Sequence, residues 1–264
     1  MSEEILLRND KNKIAYLVFN KPEKLNVLSE EMLAVLYDQL IKLENDETIR
    51  CIVLTGKGKA FCAGHDLSEL TLGRQAPDGG QEYFQKIFEM CSRIMQKIQE
   101  VPQPVIAQVN GPAVAAGCQL VATCDIAIAG ESAKFGVNGV NIGLFCSTPM
   151  VALTRNINLK NAFELLVSGK IIKPEEAKKR GLINRVVSDE SLEEEVNELA
   201  TLISSKLSAA VKIGKKAFYK QAQMSLDEAY DFAGEVMVAN MLYRDTREGI
   251  NAFLEKRKPD WNKD

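Results

Sequence analysis

Two stretches rich in small residues could receive a reacting oxygen atom. The first, residues 111–120, follows an apolar strand-like run and leads into an apolar helix-like run. Its turn is built mainly of Gly, Ala and Pro, without bulky side chains, so another molecule could approach the main chain closely. The first N–H groups of a helix have no internal acceptor and lie at the positive end of its dipole. The stretch therefore indicates either a turn that binds an anion or oxyanion, or the tight packing of a buried helix on a sheet.

The second stretch, residues 57–67, follows a short apolar run that ends at Gly56. That run, residues 51–56, has the β-branched composition of a buried strand. Two small-residue turns, each at the end of a strand of one sheet, could direct two main-chain N–H groups at one carbonyl oxygen. This arrangement is an oxyanion hole, which stabilises negative charge that develops during a reaction.

Residues 61–67 and 110–119, with 124–129 after them, resemble the two signatures of the crotonase (enoyl-CoA hydratase/isomerase) superfamily. The resemblance extends from Asn20-Lys21-Pro22 to residues 253–257, and residues 140–149 resemble one particular branch. The motif pair is specific for the superfamily but not for a reaction. The resemblance implies an α/β fold, the crotonase (ClpP-like) spiral of β-β-α units. It also implies a C-terminal helical region that packs in a trimer, often paired into a hexamer.

The resemblance also implies the site residues. The main-chain N–H groups of His65 and Ala116 would form the oxyanion hole, with Gln119 beside it. The residues expected to contact an acyl-CoA fall in three groups: Ala63, Gly64, His65, Asp66, Leu67 and Ser68 at the thioester; Gly139, Phe145, Cys146 and Ser147 along the acyl group; and Phe253 and Lys256 at the CoA adenine and phosphate. For the last pair, a solvated basic C-terminus that suits the helix dipole is the alternative.

The usual acid–base groups are missing. Typical hydratases of the family have a glutamate at the position of Gln119 and another at that of Gly139, and isomerases need one there or near Ser147. Gln119 can hydrogen-bond a water molecule but cannot exchange a proton usefully near neutral pH. Gly139 can do neither. The sequence thus predicts an intact oxyanion hole without the usual acid–base pair.

Few side chains could replace those acids. The imidazole of His65 titrates near neutral pH and could transfer a proton, or could simply pack beside the thioester. Asp66 is expected to cap the following helix rather than to act as a base. Neither Cys146 nor Ser147 has a second histidine to activate it, since the chain contains only one.

Three functional interpretations follow. The first is an enzyme of the hydratase/isomerase type acting on an acyl-CoA thioester in fatty-acid or related metabolism. The second is a different enolate reaction, a decarboxylation or a thioester cleavage, that uses the same hole. The third is a non-catalytic acyl-CoA-binding protein, which the missing glutamates favour. No cofactor is expected beyond the coenzyme A of the substrate.

The bulk properties limit the other functional classes. The chain has 264 residues and a formal charge of −3, which gives no support for nucleic-acid binding. No apolar run approaches the roughly 18 residues of a membrane span. The start, residues 1–4, does not resemble a signal peptide, so we expect a cytoplasmic protein, or a mitochondrial matrix protein if a transit peptide precedes this sequence. The six cysteines predict buried thiols, and the single histidine argues against a histidine-rich metal site.

Strand and helix patterns alternate along the chain. We expect a hairpin of residues 5–7 and 14–19 around a turn at 9–12, a helix capped by Ser29, and further helices at 67–72, 83–98, 159–167 and 175–180. A last strand is expected at 182–187. Two regions are predicted: a spiral core, residues 1–190, and a helical C-terminal region, residues 191–264. Helix caps in the latter are expected at Ser191, Ser208, Ser225 and Asp245.

Overall fold

The computed structural model describes residues 4–261, which form a mixed α/β fold. Its eight strands are β1 (Leu6–Lys11), β2 (Ile14–Phe19), β3 (Cys51–Gly56), β4 (Val105–Val109), β5 (Pro112–Val114), β6 (Ile126–Gly130), β7 (Lys134–Gly136) and β8 (Arg185–Val187). Its helices are α1 (Glu30–Glu44), α2 (Leu67–Gly73), α3 (Gln81–Glu100), α4 (Ala116–Thr123), α5 (Ser147–Asn156), α6 (Leu159–Ser168), α7 (Pro174–Arg180), α8 (Leu192–Ser204), α9 (Ser208–Gln221), α10 (Leu226–Met241) and α11 (Arg244–Leu254).

The main sheet has six strands in the order β1-β2-β3-β4-β6-β8. Only the β1–β2 hairpin is antiparallel; the other neighbours are parallel. Every residue of β3 is buried, which explains its continuous apolar run, because parallel strands are covered on both faces. A small second sheet pairs β5 with β7 in parallel, and an isolated bridge between Cys62 and Ala113 extends it.

Successive chain segments repeat one pattern. In two of them, a strand of the main sheet is followed by a short strand of the second sheet and then by a helix: β4-β5-α4 and β6-β7-α5. In the segment after β3, the bridge at Cys62 takes the place of the short strand. These repeats confirm the predicted spiral of β-β-α units.

Alternate residues of the central strands pack into two cores. Ile52 and Leu54 face the larger core, to which α1 contributes its predicted apolar stripe from Met32 to Leu43. Cys51 and Val53 face a smaller core that α8 closes with three buried residues: Leu192, Val196 and Ala200. Helix α8 therefore covers one face of the main sheet. The division of the chain at residue 190 stays a prediction.

The later helices expose much of their apolar surface. Helix α9 is anchored by Lys215, whose Nζ donates to the carbonyl oxygens of Ile98 and Gln103 at 2.8 and 2.9 Å and to Asp125 Oδ2 at 2.6 Å. By contrast, α10 contains no buried residue. Met237, which the sequence places on an apolar stripe, is 63% exposed in the single chain.

Several boundary predictions are confirmed and several are wrong. Ser29 caps α1, and Ser225 forms a capping box with Glu228 at α10. Ser208 and Asp245 are not caps: α9 is preceded by Leu207 and α11 by Tyr243. The hairpin turn lies at residues 12–13, since the strand continues through the polar residues 9–11. Ser191 precedes α8 without a side-chain capping bond, and α5 was not predicted.

Candidate active site

The two small-residue turns lie directly against each other. The carbonyl oxygen of Cys62 accepts from the N–H of Val114 at 3.1 Å, and the N–H of Cys62 donates to the carbonyl of Pro112 at 3.2 Å. Gly117 fits under this contact because it lacks a side chain: a Cβ there would collide with the carbonyl oxygen of Cys62. The main chain of the turn at residues 57–67 thus packs on the start of α4, as the small residues of the two turns predicted.

Gly64 brings the turn of residues 57–67 to the N-terminus of α4. Its φ of +91° is a conformation that side chains disfavour, and a Cβ there would lie 3.0 Å from Ala115 Cβ and 3.3 Å from the nitrogen of Ala116. His65, the next residue, therefore lies beside the first residue of α4. In the part of the chain that the structure describes, neither the His65 nor the Ala116 N–H has a recorded acceptor. Both N–H groups are thus unpaired main-chain donors on neighbouring segments.

Ala115, in the turn of residues 111–120, has an unusual backbone conformation. Its φ of 49° and ψ of −119° lie in a region that residues other than glycine rarely adopt. Its N–H donates to the carbonyl of Gly136 at 2.8 Å, which ties the turn to β7. The contact with Gly64 holds it from the other side. Neighbouring segments therefore maintain the conformation that sets the direction of the Ala116 N–H.

The imidazole of His65 packs in an apolar environment. Its ring meets the edge of Phe88 with the centroids 5.4 Å apart, and neither ring nitrogen has a hydrogen-bond partner in the protein. Burial lowers the pKa of His65, and the main chain of Leu28 opposes this effect only in part. The imidazole is therefore neutral near pH 7. Both roles considered for the imidazole, proton transfer and packing beside a ligand, stay predictions.

Gln119 lies on the same face of α4 as Ala116, one turn later. Its side chain is 3% exposed, and its Oε1 atom is buried without a hydrogen-bond partner. A glutamine can position a ligand or a water molecule, but it offers no titrating group. The side chain at this position of α4 is therefore a neutral carboxamide, and the catalytic role of the position stays a prediction.

Gly139 has no room for a side chain. A Cβ there would collide with the carbonyl oxygen of Leu144 and lie 2.9 Å from the Sγ atom of Cys146. A hydrogen bond from the N–H of Leu144 to the carbonyl of Gly139, at 2.9 Å, closes the loop between these two residues. The main chain of Leu144 and the side chain of Cys146 thus occupy the space that a side chain at position 139 would need.

The other predicted site residues are placed as follows. Asp66 caps α2 as expected, with Oδ1 accepting from the N–H of Ser68 at 2.9 Å. Leu67 and Ser68 start that helix. Cys146 is buried at the start of α5, where Phe145 and Ser147 are exposed. Phe253 and Lys256 lie on the exposed end of α11, outside the two turns, so their role in binding CoA stays a prediction.

The cysteines are confirmed as buried, free thiols. Burial raises the pKa of Cys62 and of Cys118, which lie at the two turns, to about 12. Both thiols therefore stay protonated near neutral pH and are not nucleophiles. Within residues 4–261 no group of three or more His, Cys, Asp or Glu side chains could hold a metal ion. No helix in that part of the chain is long and apolar enough to cross a membrane.

A cavity of about 490 Å³ lies behind Gln119, and the sequence did not predict it. Four helices that are distant in sequence line it: Ser92, Met95, Gln96 and Gln99 from α3; Gln119 and Thr123 from α4; Thr148, Val151, Ala152 and Arg155 from α5; and Tyr219 from α9, with Gln223 just after that helix. No carboxylate is among these lining residues. The spacing of Ser92, Gln96 and Gln99, three and four residues apart beside an apolar stripe, is the one signal that could have indicated it.

The chain is similar in sequence to the proteins of one family. A profile described as Enoyl-CoA hydratase/isomerase matches residues 9–264. The mitochondrial enoyl-CoA hydratase domain-containing protein 3 of Rattus norvegicus is 44% identical over 249 residues, which cover 94% of this chain and 81% of the relative. This is the branch that residues 140–149 resemble.

Two solved structures have the same fold. A crystal structure of an enoyl-CoA hydratase from Mycobacterium smegmatis has a TM-score of 0.94 at 47% identity, covering 99% of this chain and 100% of the other. The crystal structure of human enoyl-CoA hydratase domain-containing protein 3 has a TM-score of 0.93 at 41% identity, covering 98% of this chain and 100% of the other.

Proposed function

Because the chain belongs to the enoyl-CoA hydratase/isomerase family, we propose that it is an enzyme that binds an acyl-CoA thioester and stabilises its enolate. The observation that supports this proposal is the close approach of Gly64 to Ala115 and Ala116, together with the absence of a protein acceptor for the N–H groups of His65 and Ala116. The thioester oxygen would accept a hydrogen bond from each. Both donors belong to a buried main chain, so they need no reorganisation when negative charge develops on that oxygen.

Two donors of this kind account for the electrostatic part of catalysis. Removal of one oxyanion-hole donor typically costs about 100- to 1,000-fold in turnover. The proton-transfer part has no evident counterpart here, because Gln119 is neutral and Gly139 cannot carry a side chain without moving Leu144. Hydration of an enoyl-CoA by the usual pair of glutamates is therefore not the chemistry we expect to be fast.

Two alternatives are supported by that same observation. A non-catalytic acyl-CoA-binding protein needs the donors and no acid. Decarboxylation of a malonyl-type thioester needs no carboxylate base: the C–C bond breaks, CO₂ leaves, and the electron pair becomes an enolate on the thioester oxygen. That enolate takes a proton from water to give the shorter thioester. Thioester cleavage also fits the hole but needs an activated water molecule.

The remaining parts of the proposal concern assembly and compartment. The exposed apolar side chains of α10, among them Tyr230 and Met237, would be covered in a homotrimer or homohexamer. Phe253 and Lys256 would then contact the CoA adenine and phosphate, from the same subunit or a neighbour. The names of the Rattus norvegicus and Homo sapiens relatives include the word mitochondrial, which supports a mitochondrial matrix location. A strictly monomeric mass in solution at micromolar concentration would contradict the assembly.

Calorimetry with a non-hydrolysable acyl-CoA tests the core of the proposal. We expect micromolar affinity, which corresponds to about −8 kcal/mol. Absence of binding at millimolar ligand would overturn acyl-CoA binding in every form considered. Turnover of a crotonyl-CoA panel then separates the enzyme from the non-catalytic protein, and product identification on a malonyl-type CoA tests decarboxylation.

A further inference from the structure

We propose that the cavity behind Gln119 binds an acyl group that carries a hydroxyl group about four carbons along its chain, in preference to a plain hydrocarbon. This inference rests on the proposed acyl-CoA binding and names the class of acyl group. Nine of the twelve residues that line the cavity are polar: four carboxamides, four hydroxyls and one guanidinium. A hydrocarbon chain would desolvate these groups without replacing their hydrogen bonds.

The cavity adjoins the oxyanion turns through α4. Ala116, Gln119 and Thr123 lie on one face of that helix, and the last two line the cavity. Three residues of helix rise about 4.5 Å, so the Gln119 side chain lies about one turn from the N–H of Ala116. An extended acyl chain that runs from the N–H of Ala116 along α4 would reach this depth at about its fourth carbon.

The carboxamide of Gln119 supplies the specific requirement. Gln119 is only 3% exposed, and its Oε1 atom has no hydrogen-bond partner in the protein. A buried polar atom left unpaired is energetically unfavourable, so a ligand that pairs it gains affinity. A hydroxyl can accept from the amide nitrogen and, once the carboxamide turns over, donate to the amide oxygen, so it suits the carboxamide in either orientation. A methyl group at the same place can do neither.

The opposite wall of the cavity is held rigidly. The hydroxyl of Tyr219 donates to Asp125 Oδ1 at 2.7 Å, while Lys215 donates to Oδ2 of the same carboxylate at 2.6 Å. Asp125 Oδ2 also accepts from the main-chain N–H of Val105 at 2.6 Å. The Tyr219 oxygen keeps its lone pairs for a ligand. A polar wall fixed in this way is preorganised for hydrogen bonding.

The anionic alternative is weaker. Arg155 is the one charged residue of the lining, and it is exposed, with its Nη1 atom donating to the Val151 carbonyl of its own helix at 3.0 Å. A solvated guanidinium at the rim would favour a carboxylate-bearing acyl group only slightly. We therefore assign the neutral hydroxyl, and the experiment includes the carboxylate as a competitor.

Binding of three matched CoA analogues tests the proposal, each with an amide in place of the thioester so that the chain neither hydrolyses nor forms a lactone. They carry a pentanoyl, a 4-hydroxybutanoyl and a glutaryl group; the first two differ by one methyl-to-hydroxyl exchange. We expect the 4-hydroxybutanoyl analogue to bind at least about tenfold more tightly than the pentanoyl analogue, because the site's polar groups are paired only by the hydroxyl. Calorimetry measures all three.

The variants locate the preference. Gln119→Leu should reduce the ratio of affinities to about one, since the carboxamide is gone. Gln85→Leu, the same exchange on an exposed position of α3 outside the cavity, should leave the ratio unchanged. Thr123→Val provides a second lining variant of nearly equal shape and should also lower the ratio.

Three outcomes would overturn this inference while leaving acyl-CoA binding intact. One is equal or tighter binding of the pentanoyl analogue. Another is a ratio that folded Gln119→Leu and Thr123→Val proteins both retain. The third is tightest binding of the glutaryl analogue, which would assign the cavity to anionic acyl groups. If none of the three analogues binds, the proposed function itself fails.

Discussion

The two donor turns and the segment after β7 differ in how they use their main chain. At the turns, Gly64 and Gly117 remove side chains so that the main chain of one turn can contact that of the other. Near Gly139, the missing side chain makes room for the carbonyl of Leu144 and not for a ligand. The same residue type thus builds a site in one region and closes a position in the other. Under the proposed function, electrostatic stabilisation and proton transfer would be separable parts of this fold.

The largest expected effect comes from a variant that places a carboxylic acid at position 119. Gln119→Glu should raise crotonyl-CoA hydration from a very low level by about 100-fold or more, because a positioned general acid–base group contributes roughly 100- to 10,000-fold. A stopped assay of product formation measures it. Gln119→Leu serves as the control, which should show no gain.

Two results would contradict this comparison. Wild-type hydration at a rate typical of the family would mean that Gln119 and Gly139 are not the lost catalytic pair. A folded Gln119→Glu protein without any gain would mean that the pocket is shaped for another reaction. The second acid cannot be restored in the same way, since the crowding at Gly139 predicts that Gly139→Glu would displace Leu144.

The next effect breaks the donor turns. Gly64→Ala should weaken binding of a non-hydrolysable acyl-CoA by about tenfold or more, because the new Cβ would press on Ala115 and the nitrogen of Ala116 and separate the two donors. Calorimetry measures the change. Gly79→Ala is the matched control: its φ is +70°, and no atom lies within 4 Å of its Cβ position.

Much of the fold and of the donor turns could be predicted from sequence, because local rules determine them. The buried strand at residues 51–56, the Ser29 and Asp66 caps and the small residues around Gly64 and Gly117 each act within a few neighbours. The cavity could not be predicted, because α3, α5 and α9 bring its walls from distant parts of the chain. The three-residue strands β5 and β7 carry too little pattern to show alternation.

A smaller effect concerns the closed position. Gly139→Ala should lower the free energy of unfolding by about 1–3 kcal/mol, since overpacking forces the main chain near Leu144 to move. Denaturant unfolding measures it. Gly214→Ala, at a helical glycine of α9 with no atom within 4 Å, should not destabilise the protein. Equal effects in both variants would show that Gly139 is not crowded.

The smallest effect depends on pH and on the single histidine. Burial lowers the pKa of His65, so the unfolded chain takes up a proton at a higher pH than the folded one does. The stability from keeping this imidazole neutral is complete above its unfolded pKa of about 6.5 and is lost as the pH falls towards the folded pKa. Its contribution to the slope is at most about 1.4 kcal/mol per pH unit.

His65→Leu isolates that contribution, since carboxylates titrate in both proteins. Thermal or denaturant unfolding between pH 7.5 and pH 5 should show a shallower loss of stability in the variant. An identical slope in the two proteins would mean that the imidazole is solvated in the folded state. The result decides whether the imidazole is buried in its neutral form.

The backbone of Ala115 has a mechanical consequence for the whole site. A residue other than glycine in this region of φ and ψ is strained by about 1–3 kcal/mol and persists only while its surroundings constrain it. The constraint comes from the hydrogen bond to Gly136 in β7 and from the contact with Gly64. The turn of residues 111–120 is therefore strained at Ala115, and its conformation depends on both of these contacts. Loosening either one, even by a change remote from the ligand, should turn the Ala116 N–H away and release acyl-CoA.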